Sequence, residues 1–381
     1  MKRLYLDHNA TTPLRPEARA AMIGAMDVVG NPSSVHGEGR LAKALVERAR
    51  AQVAAAVGCE PVQVIFTSSA TEAAALAVAQ KARHGGVFGA LATEHDCVRV
   101  WADHELATAG DAGFQDWMSV QGDAQVDGPV ALVGVSAANS ETGVLAAGGK
   151  VVGSGHVVAA RGSVPYSTLC DITQVVGKMP VVYDAITPSY AILSAHKLGG
   201  PKGIGALINF TADDPEPILR GGGQEMNRRS GTENIIGIAG FGAAIDAAMR
   251  DLKDGVWDKV AELRKILENR VEVASKETIL VGKDVARLPN TSCLLTPGWR
   301  GETQVMALDL AGIAVSAGSA CSSGKVKASR VLLAMGYDEA DAASAIRVSL
   351  GPDTTHDDVT RFVDVWSDKL NKHRLRARAN T

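Results

Sequence analysis

The chain of 381 residues has no run of eighteen apolar residues, so no membrane-spanning helix is expected. It has no basic excess either. Its 39 Lys and Arg stand against 42 Asp and Glu, a net charge of −3, which argues against a nucleic-acid surface. The basic run from Lys372 to Arg378 is short and reads as a solvated helix end. Cysteine is scarce: Cys59, Cys97, Cys170, Cys293 and Cys321 are odd in number and lie far apart. No CxxC pair occurs, so neither a zinc site nor a disulfide framework is expected. Free thiols fit a reducing compartment, where a thiolate can do chemistry. After Met1-Lys2-Arg3 the apolar run is too short for a signal-peptide core, and a cytoplasmic location is expected.

What is present is ordinary for a globular chain, with 46 % apolar and 21 % charged residues, and a disordered chain would be poorer in apolar residues. The length exceeds what one core usually fills, so a large domain plus a smaller one is the natural reading. No internal repeat is visible. Residues 14–29 are helix-like after Pro13, and residues 30–39 form a loop rich in Gly, Pro and Ser. Residues 40–57 read as an amphipathic helix, with Leu41, Leu45, Ala49 and Val53 four apart. Strands are predicted at 62–67, 87–92, 130–136, 165–170, 190–194 and 204–210, with helices starting near Thr71 and after His95. This alternation argues for a mostly parallel sheet covered by helices, with ligands bound beyond the C-terminal strand ends. Residues 234–272 suggest two helices, 278–350 a mixed second unit, and 356–371 a closing helix. Residues 147–163 hold five glycines where a crossover helix would be expected, so a loop or irregular strand is predicted there.

Functional candidates follow apolar runs. Lys197, in Ser194-Ala195-His196-Lys197, stands at a strand end before several glycines. It could form a Schiff base with an aldehyde cofactor, or be a surface lysine at a turn. Asp171 could pair with a pyridine nitrogen, with Gln174 reaching a ring oxygen, or it could cap a helix. Thr67 to Glu72 could cradle a phosphate at a helix start, or form a plain capping box. His95 could stack on a flat ring or be a satisfied, partly buried histidine. Cys321 lies among small residues flanked by Gly318 and Gly324, a setting that suits a reactive thiol better than a structural one. The other four cysteines read as structural. Arg347, inside an apolar strand, needs an anion: a substrate carboxylate or a structural Asp or Glu.

Together these segments resemble the NifS/IscS-type cysteine desulfurases, class V aminotransferases of the fold-type I pyridoxal-phosphate enzymes. The resemblance runs through Tyr5-Leu6-Asp7-His8-Asn9-Ala10-Thr11-Thr12-Pro13, Asn31-Pro32-Ser33-Ser34 with His36-Gly37, Thr93-Glu94-His95, Ser194-Ala195-His196-Lys197, Arg229-Ser230-Gly231-Thr232-Glu233-Asn234 and Gly318-Ser319-Ala320-Cys321. It covers nearly the whole chain. It implies an α/β fold of the aspartate aminotransferase type, with a mostly parallel seven-stranded sheet in a large domain and a smaller α+β C-terminal domain. The expected division is 1–13 as a segment joining the small domain, 14–255 as the cofactor-binding domain, and 256–381 as the small domain carrying the cysteine loop.

The resemblance also implies roles. Pyridoxal 5′-phosphate would be held by Lys197, Asp171, Gln174, His95, Thr71, Ala70, Ser194, His196 and, across a homodimer, Thr232. Arg347, Asn139 and Ser140 would contact substrate. Lys197, His95 and Cys321 would be catalytic, with no metal. L-cysteine would become L-alanine, and its sulfur would pass as a persulfide on Cys321 to an iron–sulfur scaffold protein. Neither nucleic acid nor membrane is expected as a partner. Four departures from the family pattern stand out: Ser140 for an Asn, Ser69 for a Gly, Ala74 and Ala75 for polar residues, and the glycine-rich 147–163 segment. Two alternatives follow: a selenocysteine lyase or related lyase or transaminase on the same scaffold, and a catalytically weakened sulfur relay that binds a scaffold.

Overall fold

A computed structural model describes residues 3–106, 132–146, 155–159, 162–183, 187–318 and 328–379. A seven-stranded sheet runs in the order Val64–Thr67, Gly205–Asn209, Tyr190–Ser194, Gly162–Asp171, Leu132–Ser136, Phe88–Leu91, His104–Leu106. All its pairings are parallel except the two made by Gly205–Asn209, which runs against both neighbours. The sheet is buried on both faces, as apolar runs rather than alternating ones demand. The two-residue period still sorts side chains between faces. Phe66, Leu193, Ala206 and Val135 pack with Val46, Ala49 and Phe241 on one side. Ile65, Ile192, Leu207 and Leu132 pack with Ala73, Leu76 and Ala77 on the other.

The first face is covered by helices Pro16–Met26, Gly37–Val57 and Ile235–Lys253, and the second by Ala70–Val78. Helix Gly37–Val57 begins with the His36 ring accepting from Gly39 N and ends where Gly58 turns left-handed, at φ +69°. Its buried stripe is Ala42, Val46, Ala49 and Val53, whereas Leu41 is exposed. Strict four-residue spacing drifts about 40° per step around a 3.6-residue helix, so the stripe expected through Leu41 leaves the core at that end.

A second unit holds an antiparallel sheet in the order Ile279–Leu280, Thr291–Leu295, Ala345–Ser349, Ser316–Ala317. Helices Val256–Ala274 and His356–Ala379 close its core around Trp257, Trp299, Phe362 and Trp366. Leu4 and Leu6 belong to the same core, and strand Leu4–Tyr5 pairs in parallel with Ile313–Ala314. In the glycine-rich stretch, 155–159 form a strand antiparallel to 162–166, while 147–154 and 160–161 lie outside the described residues. The helix expected after His95 is a single turn, Asp96–Arg99. No helix among the described residues is long and apolar enough to cross a membrane.

Candidate active site

Sheet register brings the candidate residues to one edge. Thr67 pairs with Gly205, and Gly205 with Ser194. Ile192 pairs with Asp171, and Asp171 with Ser136. Parallel strands that end in register put their following turns side by side. The Lys197 turn, the Gln174 turn, the Asn139 turn and the Ala70 helix start therefore share one rim.

Lys197 closes the single turn Ala195–Lys197. Its Nζ donates to the carbonyls of Asn9 and Ala10 at 2.7 and 2.8 Å. The N-terminal segment straps this turn. Thr12 N donates to His196 O at 2.9 Å, and Thr12 Oγ1 to Lys197 O at 2.9 Å. His196 lies 3.1 Å from Thr11 Oγ1, and burial, then Lys197 and Lys202, push its imidazole down to about 4.

Asp171 ends its strand and accepts from Thr173 N at 2.9 Å, closing a turn rather than capping a helix. Gln174 Nε2 donates to Asn9 O at 3.0 Å, and Gln174 Oε1 accepts from Lys178 Nζ at 2.8 Å. His95 caps its helical turn, with Nδ1 accepting from Cys97 N at 3.1 Å. The neutral ring must then carry its proton on Nε2. The residue is exposed at the surface, yet the protein crowded around it lowers its pKa; Asp171 acts upward and Lys197 downward. His95, Asp171 and Lys197 thus share one electrostatic field.

At the helix start, Ser69 Oγ accepts from Glu72 N at 3.3 Å and Glu72 Oε2 from Ser68 N at 2.8 Å. This is the capping pattern expected of the motif. Burial acts against the Glu72 carboxylate, but hydrogen bonds from Arg229 and Ser68 outweigh it and lower its pKa. Capping leaves the amides of Ala70 and Thr71 without an intrahelical partner, and Thr71 is exposed. Gly205 is what lets this helix start lie against the sheet edge. A Cβ there would stand 2.6 Å from the Ser69 carbonyl carbon and 2.8 Å from Ala70 N. Backbone atoms cannot step aside, so the amides stay beside Ser194, which is buried. Thr232 is exposed in the loop after Arg229 and has no hydrogen bond to these residues.

Arg347 has the structural partner that its strand position demanded. It donates to Asp7 Oδ1 at 2.8 Å and to Ser140 O at 3.0 Å, and its buried Nε has no partner among the described residues. Asn139 is spent on its own turn, accepting from Glu141 N and Thr142 N and donating to Thr93 O. Ser140 contributes its carbonyl, which also accepts from Asn9 Nδ2 at 3.2 Å. Cys321 lies outside the described residues. The residues flanking 319–327 meet: a Cβ on Gly318 would stand 2.6 Å from Ser329 Cβ. Ser329 Oγ donates to Glu141 at 2.6 Å. Arg330 donates to Glu94 O at 3.2 Å and to Asp96 Oδ1 at 2.9 Å. Gly318, Ser329 and Arg330, on either side of 319–327, therefore lie beside the Asn139–Glu141 turn and the His95 turn. Of the other cysteines, Cys97, Cys170 and Cys293 are buried and Cys59 is half-buried. Burial pushes the Cys59 thiol up to about 12 and Cys97 higher still, so neither is a ready thiolate.

Sequence reasoning missed three members of this site. Asn9 was only part of a motif, yet its backbone and side chain bond Lys197, Gln174, Lys178, Thr291, Asn290 and Ser349. Lys178 follows Gln174 by four residues, a spacing that hinted at contact. Glu94 is wholly buried against Ser136, accepting from its amide at 2.9 Å and sharing a hydrogen bond with its hydroxyl, and burial pushes its carboxyl up to about 8.

These donors fit pyridoxal phosphate. An amine stands ready for an aldehyde, a carboxylate for a ring nitrogen and an accessible imidazole for stacking, and free amides with a buried hydroxyl can take a phosphate.

Comparison with known proteins agrees. The aminotransferase class-V family matches residues 4–362. A cysteine desulfurase of Frankia sp. (strain EuIK1) is 40 % identical, aligned over 95 % of this chain and 90 % of its own. The cysteine desulfurase IscS of Dictyoglomus turgidum is 34 % identical over 98 % of this chain and 96 % of its own. Among solved structures, a NifS-like protein from Rickettsia africae superposes with a TM-score of 0.82 at 31 % identity, covering 97 % of this chain and 99 % of that one.

Proposed function

Since the chain belongs to the class V aminotransferases and, within them, to the cysteine desulfurases, we propose that it takes sulfur from L-cysteine and holds it as a persulfide on Cys321. Pyridoxal phosphate, when bound, supplies an aldehyde for Lys197 and a ring that draws electrons from the substrate's Cα. Asp171 would hold the proton on the ring nitrogen. Gln174 would donate to the ring oxygen and His95 would stack on the ring. Ala70, Thr71, Ser194 and His196 would bind the phosphate, with the partner subunit's Thr232. Lys197 Nζ would carry protons at the substrate's Cα. Arg347 would release Asp7 to grip the substrate carboxylate, beside Asn139 and Ser140. The Cys321 thiolate attacks the substrate sulfur, the C–S bond breaks with its electrons left on carbon, a proton is taken up there, and alanine leaves.

The observation that carries this reading is Lys197, Asp171 and His95 on one rim, beside the residues that flank 319–327. Free thiols among small residues suit delivery to a second protein, here an iron–sulfur scaffold, in the cytoplasm. Incubating purified protein with cysteine and a reductant should give alanine and sulfide in equal amounts. Absence of alanine from folded, cofactor-loaded protein sinks the proposal. Cys321→Ala should lose sulfide release and keep visible cofactor absorbance; sulfide release that survives would favour a lyase instead.

A further inference from the structure

Lys178 is a buried lysine that the reaction above does not use, with only 3 % of its surface accessible. Its Nζ donates to Gln174 Oε1 at 2.8 Å and to Asn9 Oδ1 at 3.2 Å. The charged or titratable groups facing it are Lys197 from the active-site turn, Arg347 from the C-terminal sheet and His8 from the N-terminal segment. Among the described residues no carboxylate pairs with it. A buried cation amid other cations is costly, and an apolar side chain of similar length would fill the same space at less cost. Such a group points to a task at the neighbouring site.

We propose that Lys178 is a positioning residue for the cofactor site: donating from one buried nitrogen to two amides, it fixes the orientation of Gln174 and of Asn9. The chemistry of the donors makes this specific. An ammonium only donates, so Gln174 must turn its oxygen toward Lys178 and its nitrogen away. Gln174 Nε2 carries two hydrogens. One goes to Asn9 O at 3.0 Å, and the second is left for an acceptor in the site. In the reading proposed above, on which this inference rests, that acceptor is the ring oxygen.

Asn9 is fixed in the same way. Its Oδ1 accepts from Lys178 and Asn290, which leaves Nδ2 to donate to Thr291 Oγ1 and Ser140 O. The Asn9 carbonyl that seats Lys197 Nζ is held by that anchored residue. Burial, then Lys197 and Arg347, push the Lys178 amine down to about 7.

The test compares Lys178→Met and Lys178→Gln with wild type. Lys178→Met should lower kcat for alanine formation by about tenfold while KM for cysteine stays within about twofold, because a misaimed amide disturbs geometry rather than substrate grip. The visible cofactor band should shift, as should the pH midpoint of its change. Lys178→Gln, which keeps a donor, should restore most of the band and of kcat. Apoprotein gives an independent readout. Lys178→Met should gain thermal stability over wild type below pH 7, and that gain should shrink as pH rises toward 10.5, where an unfolded lysine also loses its proton.

Folded Lys178→Met with normal kcat, band and pH midpoint overturns the proposal. If Lys178→Met does not fold, Lys178→Gln decides: a band and kcat far from wild type overturn it. Wild-type protein with no visible band and no alanine would overturn the functional reading itself, which an altered variant beside an active wild type does not.

Discussion

In the proposed reaction Arg347 would meet two anions in turn, one from the protein and one from the substrate. The bond to Asp7 at 2.8 Å pairs the charge of a largely buried guanidinium. In that reading a substrate carboxylate would have to displace it, so part of the substrate's binding energy would be offset by breaking that pair. Asp7→Asn should therefore lower KM for cysteine on the order of threefold and destabilise the free protein by roughly 1–3 kcal/mol. Steady-state kinetics with thermal unfolding checks both, and a raised KM would show Asp7 orienting Arg347 rather than competing for it. Glu94 gives a second prediction, this one about pH. Its carboxyl, raised to about 8 by burial, keeps its proton in the folded chain where the unfolded chain has lost it. The contribution of the neutral carboxyl to stability is full below about pH 4.5 and fades as pH rises through about 8. Glu94→Gln mimics the protonated state, accepting from Ser136 N and donating to its hydroxyl. It should match wild type near pH 5 and exceed it by roughly 2–4 kcal/mol near pH 9, as read from denaturant midpoints. Parallel pH curves for the two proteins would count against the assignment.

One short element stores strain. Glu225, Met226 and Asn227 follow each other at φ +49°, +59° and +66°, a left-handed turn of three residues that are not glycine. Each costs about 1–2 kcal/mol in that region. The turn is held because Glu225 is locked from inside: Arg50 forks onto its carboxylate at 2.7 and 2.8 Å and Phe66 N donates to it at 2.9 Å. The loop that follows carries Arg229 to the Glu72 cap and presents Thr232. Met226→Gly should then stabilise the protein by roughly 0.5–1 kcal/mol, net of the entropy glycine adds to the unfolded chain. Asn227→Gly should gain less, because Asn tolerates this region. Urea titration decides it, and a loss of stability at Met226→Gly would show the side chain worth more than the strain. Such a turn is invisible to pattern reading, since its conformation is imposed by a buried ion pair 175 residues apart in sequence. The strands at the sheet edge were legible for the opposite reason. Tyr190–Ser194 is a buried apolar run that stops at polar residues, and hydrophobicity alone marks it. Lys197, Asp171 and His95 were legible because each follows such a run. Asn9 and Lys178 were not, because the bond between them joins segments 169 residues apart. Cys321 was singled out by its small neighbours and by the family resemblance, and the position of its thiol lies outside the described residues.

For the whole molecule, the question is what covers the apolar side chains that neither core takes. Ile23, Met26, Val29, Val35 and Leu41 are 50 %, 60 %, 92 %, 88 % and 64 % exposed, and all fall within nineteen residues of sequence. A monomer rarely leaves so dense a set of large apolar groups in water, whereas an interface between copies would bury them. The same assembly would supply the phosphate site with a Thr232 that, within one chain, stays exposed and unattached to the rim. Stability of the assembly and retention of cofactor should therefore fail together. Val29→Asp combined with Val35→Asp places charges where the second copy would pack, at positions with no contact to Lys197, Asp171 or His95. Wild-type protein should sediment at twice the mass of the 39.6 kDa chain, and the double variant at the mass of one chain. The variant should also release its cofactor at least tenfold faster on dilution, while its secondary structure by circular dichroism stays that of wild type. A variant that is monomeric yet holds cofactor as tightly as wild type would mean that each chain completes its own phosphate site, and the role proposed for the partner subunit's Thr232 would be withdrawn.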